Sequence, residues 1–115
     1  MTPAARVQTA IEILDVIAAS ARDGGAPADA IFAEAMRARR YAGSKDRRAI
    51  RGLVYDAIRT VRSVPASGRA AMIALADSDA ELAALFDGAS YGPAAITADD
   101  PRAETGLATP ALIKL

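Results

Sequence analysis

Arg48, Arg51, Arg59 and Arg62, with the phenol of Tyr55 among them, recur at helical spacing within the run SKDRRAIRGLVYDAIRTVR from Ser44 to Arg62. At about 100° per residue these five side chains share one side of a helix. A guanidinium is a planar fork of N–H donors that matches two phosphate oxygens, and an aromatic ring can stack on an unpaired base. The chemistry on offer is recognition of a polyanion, RNA above all, rather than making or breaking a covalent bond. Ile50, Leu53, Val54, Ala57, Ile58 and Val61 fall on the opposite side, so the same helix is expected to seat itself on a core.

Arg37, Arg39, Arg40, Lys45 and Arg47 lie just upstream, and the charge balance along the chain sharpens the contrast. Residues 1–32 hold two basic against four acidic residues, residues 33–69 ten against three, and residues 70–115 two against seven. A net charge of zero thus conceals a strongly basic middle between acidic ends, and local fields of this kind govern partner choice. The candidate RNA contacts are Arg37, Arg39, Arg40, Lys45, Arg47, Arg48, Arg51, Arg59 and Arg62.

Each group also has a plainer role open to it. The arginine stripe could be a solvated face with local ion pairs, and Arg47 could pair with its neighbour Asp46 or dock against a further domain. Tyr41 and Tyr55 are the rings able to stack a base. Tyr55 sits at the margin of an apolar stripe, where a tyrosine packs its ring and hydrogen-bonds its hydroxyl; Tyr41, in a turn between basic segments, is the one expected to be exposed. Gly43-Ser44-Lys45 lacks the upstream glycine and the strand of a phosphate loop and reads as a helix cap, whose free N–H groups could still hold one phosphate. Asp99-Asp100 reads as a solvated helix start rather than a metal-ligand pair.

Composition closes off other classes. The chain has no cysteine and no histidine, so it offers no thiolate nucleophile, no disulfide and neither of the commonest soft metal ligands. No catalytic constellation is recognisable, so no cofactor or metal is expected in this segment. No apolar run approaches the roughly 18 residues of a membrane span and no secretory signal opens the chain, which gives the expectation of a soluble, cytoplasmic protein. With 115 residues, 52% apolar and rich in alanine with few aromatics, the core is expected to be made of closely approaching helices: an all-α domain.

The elements that must position the basic stripe follow from the punctuation. Thr2-Pro3 predicts an N-cap and first turn for a helix to about Ala21, stopped at Asp23-Gly24-Gly25. Pro27 restarts a helix to about Arg40; Tyr41-Ala42-Gly43 turns; Ser44 caps the basic helix, with Asp46 in its first turn. Val64-Pro65 ends that helix. A shorter one runs from Ala66 to Ala76, and Ser78-Asp79-Ala80-Glu81 predicts a capping box for another through Phe86, closed by Asp87-Gly88. Thr97 to Asp100 could cap a further short helix. Residues 1–96 are read as the domain and 97–115 as a C-terminal helix or linker, and the apolar stub from Ala111 to Leu115, with no stop signal, gives the expectation that the parent protein continues.

Asp46, Arg47, Leu53, Val54, Tyr55 and Arg59 form a "DR…LVY…R" helix after an early alanine-rich one. In this the chain resembles the N-terminal domain of ribosomal RNA cytosine-5 methyltransferases of the RsmB (Sun/Fmu) type, over roughly residues 4–96. The resemblance implies a NusB-like helical bundle of about five to six helices that binds ribosomal RNA. It also implies a parent enzyme whose cysteine nucleophile and S-adenosylmethionine site lie on a doubly wound α/β domain that this sequence lacks. The chain departs from the family at Asp56, where members usually carry Gly after the Tyr; this places an acid beside the basic stripe. The functional expectation is an RNA-binding accessory domain. The alternative is a protein–protein module whose basic face docks an acidic partner, a ribosomal protein or its own methyltransferase domain.

Overall fold

The computed structural model describes residues 1–106, and these fold as five α-helices: α1 (Pro3–Asp23), α2 (Ala28–Ala38), α3 (Ser44–Thr60), α4 (Gly68–Ala76) and α5 (Ala80–Ala84). Among the described residues the only extended pairing is an isolated antiparallel bridge between Val61 and Thr105. The all-α expectation holds, as a small bundle.

Helix α1 is the hub. Thr2 Oγ1 accepts a hydrogen bond from the Ala5 N–H (3.1 Å), Pro3 occupies the first turn, and Gly24 stops the helix in the left-handed region at φ 69°, where glycine carries no Cβ penalty. Between these ends Val7, Ala10, Ile13, Leu14 and Ile17 are all buried, and α1 touches α2, α3 and α4. The apolar stripe is wide because three neighbours must be served at once.

Helices α1 and α3 run in the same direction. Arg6, in the first turns of α1, donates from Nε to Asp46 Oδ1 (2.8 Å) in the first turn of α3; near the far ends, Ile17 and Ala18 share a crevice with Ile58 and Val61. Helix α2 runs back in the opposite direction, its start beside the middle of α3 (Asp29 with Tyr55) and its end beside the start of α3 (Met36 with Arg47). Ile50, Val54 and Ala57 of α3 are buried with Met72 and Ile73 of α4 and Phe32 and Met36 of α2. The side of α3 predicted to face the core does so.

Several boundaries differ from the sequence expectation. Gly43, not Ser44, is the N-cap of α3, and the Asp46 carboxylate accepts from the Gly43 N–H at 3.4 Å. The helix stops at Thr60, so Arg62 lies beyond it, its backbone N–H bonded to the Glu104 carbonyl (2.7 Å). Helix α2 ends at Ala38, α4 starts at Gly68 under a Ser67 cap, and α5 is a short helix capped by Asp79 rather than Ser78. Thr97 to Asp100 form a turn, closed by the Asp100 N–H on the Thr97 carbonyl (3.2 Å), and not the start of a helix.

Asp100 is not a solvated helix start either. Its carboxylate takes two hydrogen bonds from Arg69 (2.8 and 2.9 Å), and the Arg69 guanidinium beside it, then the Thr97 N–H, hold it well below the usual carboxylate range. Together with the Ala103 N–H on the Ala70 carbonyl (3.1 Å) and the bridge at Thr105, this ties residues 97–105 to α4 and to the segment just after α3. The end of the region read as a linker, residues 107–115 with their apolar stub, lies outside the described residues.

Candidate nucleic-acid interface

Helix α3 presents its polar side to solvent, and eight of the nine candidate cations, on it and on the segments either side, divide into three groups, while Arg51 joins an aromatic cluster. Lys45, Arg48 and Arg62 are exposed and make no ion pair among the described residues, as does Arg40 in the preceding turn. Arg37 and Arg59 each pair with an acid one turn back on their own helix, Glu34 and Asp56, in exposed contacts. Surface pairs of this kind are worth about 0–1 kcal/mol, so both arginines can exchange their acid for a phosphate at little cost. Asp56, the departure noted in the sequence, therefore occupies Arg59 but leaves Arg48 unpaired.

The third group is turned inward. Arg47 donates from Nε to the Ala42 carbonyl (2.9 Å) and from Nη2 to the Met36 carbonyl (3.1 Å), reaching the Arg39 carbonyl at 3.4 Å. Its guanidinium closes the carbonyl end of α2 and the turn into α3, so the structure gives this candidate RNA contact a role in the fold. It does not pair with Asp46, whose partner is Arg6; that hydrogen bond is the main reason the Asp46 carboxyl titrates below its usual range. Arg39 is half-buried and bonds the Ala35 carbonyl one turn back (3.1 Å).

Tyr55 packs rather than projects. Its ring lies 6.4 Å from Phe32, centroid to centroid, the Arg51 guanidinium covers it at 4.7 Å, and its hydroxyl donates to Asp29. Burial first, and the Asp29 carboxylate second, push the Tyr55 phenol up to about 12. Arg51 also reaches Phe32 (5.6 Å) and lies 4.0 Å from Asp29. The cluster joins α2 to α3 and leaves Tyr41, which is exposed, as the ring available for stacking.

Two residues of this face had no assigned role in the sequence. Arg6 lines a groove of about 320 Å³ together with Arg48, Gly52, Leu53 and Asp56, so the N-terminal part of α1 adds a cation, already held by Asp46, to the margin of the basic side. Gly52 lies on the exposed side of α3 between Arg48 and Arg59, and a Cβ built there meets nothing within 4 Å. A mid-helix glycine gives up about 0.5–1 kcal/mol relative to alanine, and the fold sets no steric demand for it. Gly52→Ala is accordingly expected to raise the unfolding free energy by roughly that amount, read as a higher urea midpoint with an unchanged slope.

Comparison with family models, with curated proteins and with solved structures gives no match for this chain. The class that stands is a small helical bundle with one strongly basic helix face. Among the described residues no helix is long and apolar enough to cross a membrane, and no group of three or more Asp or Glu side chains is placed to hold a metal ion.

Proposed function

We propose that this chain is an RNA-binding accessory domain of a ribosomal RNA (cytosine-5) methyltransferase, acting in the cytoplasm, and that the exposed side of α3 positions the RNA through its phosphates. The observation that carries the RNA contact is the group of unpaired cations, Lys45 and Arg48 on α3 with Arg40 and Arg62 at either end. Arg37 and Arg59 are recruitable reserves, and Gly52 lets a sugar-phosphate backbone approach the helix surface without meeting a side chain. Phosphate contacts position a nucleic acid but do not read bases. On this reading the base is chosen elsewhere in the enzyme.

The methyltransferase part of the proposal rests on the resemblance carried by Asp46, Arg47, Leu53, Val54, Tyr55 and Arg59. S-adenosylmethionine in that family sits on a doubly wound sheet with a glycine-rich first loop. On this reading the cofactor and methyl transfer are assigned to a further domain of the parent enzyme.

The test is binding of a fluorescent ribosomal RNA fragment across a salt series, wild type against Lys45→Gln/Arg48→Gln/Arg62→Gln. Each lost phosphate contact removes about 0.7 from the slope of log affinity against log salt for single strands. The triple variant is expected to lose about 2 from that slope and at least roughly tenfold in affinity, with its circular dichroism unchanged. Equal slopes and affinities would remove RNA from the proposal. The face would then be read as a docking surface for an acidic protein, the parent's own methyltransferase domain included.

A further inference from the structure

Away from the arginines, the structure brings together two tyrosines that lie fifty residues apart in sequence. Tyr41 and Tyr91 are 72% and 87% exposed, and both wall a groove of about 570 Å³ on the outer side of α1, with Ala5 and Thr9 among its lining residues beside Gln8 and Glu12. Large exposed rings are normally scattered singly. Here they share one concavity.

Both rings sit on anchored backbone. The turn carrying Tyr41 is held by the Ala42 N–H on the Arg39 carbonyl (3.0 Å) and by Arg47 on the Ala42 carbonyl. The Tyr91 loop is closed by the Gly88 N–H on the Pro93 carbonyl (3.0 Å) and the Gly92 N–H on the Ala89 carbonyl (2.9 Å). Gly92 then seats the loop against α1, where a Cβ would come within 2.8 Å of Ala4 Cβ. Tyr91 itself has φ 65°, a left-handed conformation disfavoured for a residue that carries a side chain.

The chemistry of the lining selects the occupant. It contains no Lys or Arg side chain, the Met1 ammonium is taken up by Asp46 (3.6 Å), and Glu12 has no ion-pair partner among the described residues. The unpaired Glu12 carboxylate attracts a basic side chain. A polyproline II segment has no internal hydrogen bonds and presents pyrrolidine rings and bare carbonyls. Tyrosine faces receive such rings, and phenol and amide donors receive such carbonyls.

We propose that the groove between Tyr41 and Tyr91 binds a proline-rich peptide segment bearing a basic residue, with the rings stacking on prolines, the tyrosine hydroxyls and the Gln8 amide donating to its carbonyls, and Glu12 pairing with its cation. This groove shares Tyr41 with the stacking role considered for RNA, but its other lining residues lie outside the basic set, and peptide binding does not depend on RNA binding.

The probe is a fluorescein-labelled oligoproline carrying a terminal arginine, followed by anisotropy. Wild type is expected to bind it saturably. Tyr91→Gly suits the left-handed backbone, so it remains folded while losing at least roughly tenfold in affinity, the loss typical of a removed aromatic anchor; Tyr41→Ala is expected to do the same. Glu12→Gln is expected to abolish the preference for the arginine-bearing probe over an arginine-free one. No binding by wild type, or unchanged affinity in folded Tyr91→Gly, overturns the proposal. So does an oligouridine probe that wild type binds in preference and that Tyr41→Ala and Tyr91→Gly release, since the groove would then be a nucleic-acid platform.

Discussion

Gly68→Ala is expected to destabilise the fold by roughly 3 kcal/mol or more. Gly68 opens α4 where that helix meets α1: a Cβ built on it lies 2.1 Å from the Ile11 carbonyl oxygen and 2.9 Å from both the Asp15 nitrogen and Leu14 Cβ. No side-chain rotation relieves this, because the first two obstacles are backbone inside a continuous helix. Nor can α4 move away freely, since the Gly68 N–H is held by Asp15 Oδ1 at 2.6 Å and the next turns bury Ala71, Met72 and Ile73. The methyl group forces the two helices apart and opens the core along α4.

Against a total stability of about 5–15 kcal/mol, a loss of that size is expected to lower the melting temperature by roughly 15 °C, at about 4–8 °C per kcal/mol for a domain of this size. Urea unfolding followed by circular dichroism gives the free energy directly. Ser67→Ala, which removes only the hydroxyl that accepts from the Ala70 N–H (3.0 Å), is the control and is expected to lose about 1 kcal/mol. If Gly68→Ala loses no more than that control, α4 does not approach α1 as closely as described.

The contrast between these neighbours shows which parts of the fold the sequence discloses. Local punctuation is legible: Thr2-Pro3, the glycine after Asp23, and the apolar and basic spacing of α3 all act within a few residues of themselves. Where that reading slipped, as at Ser44 against Gly43 or Ser78 against Asp79, adjacent residues offered competing caps one position apart. The demand on Gly68 comes from the Ile11 carbonyl, far away in sequence. The same holds for Arg6 with Asp46 and Arg69 with Asp100, whose charges were visible but whose partners depend on how the helices cross.

The candidate sites divide in the same way. That the stripe on α3 is basic needed only the helical period. That Tyr55 is engaged by Phe32, Arg51 and Asp29 needed the return of α2, although its place at the margin of the apolar stripe pointed to packing. Tyr91 stands in the turn Tyr91-Gly92-Pro93, where glycine and proline signal a change of chain direction and say nothing of a second ring. An aromatic residue in a turn, followed by a glycine that must seat against a helix, was the available signal for the second groove, and it becomes specific only when Tyr41 is seen across from it.

Arg47 tests the division between cations that hold the fold and cations free to meet RNA. Its guanidinium bonds carbonyls at the end of α2 and in the following turn, and hydrogen bonds from a charged donor contribute about 1.5–3 kcal/mol. Arg47→Met keeps most of the aliphatic stem and removes every donor, so it is expected to lose roughly 2–3 kcal/mol of stability. Arg47→Lys, with a point ammonium in place of a planar fork, is expected to recover only part of the loss. Because its partners are backbone dipoles rather than acids, the loss is expected to persist at high salt, where exposed pairs such as Arg59 with Asp56 are screened. At a temperature where Arg47→Met is still fully folded, its RNA affinity and salt slope are expected to match wild type within about twofold, since each real phosphate contact would register in the slope. A variant of unchanged stability that binds RNA tenfold more weakly would reverse the assignment and return Arg47 to the RNA face.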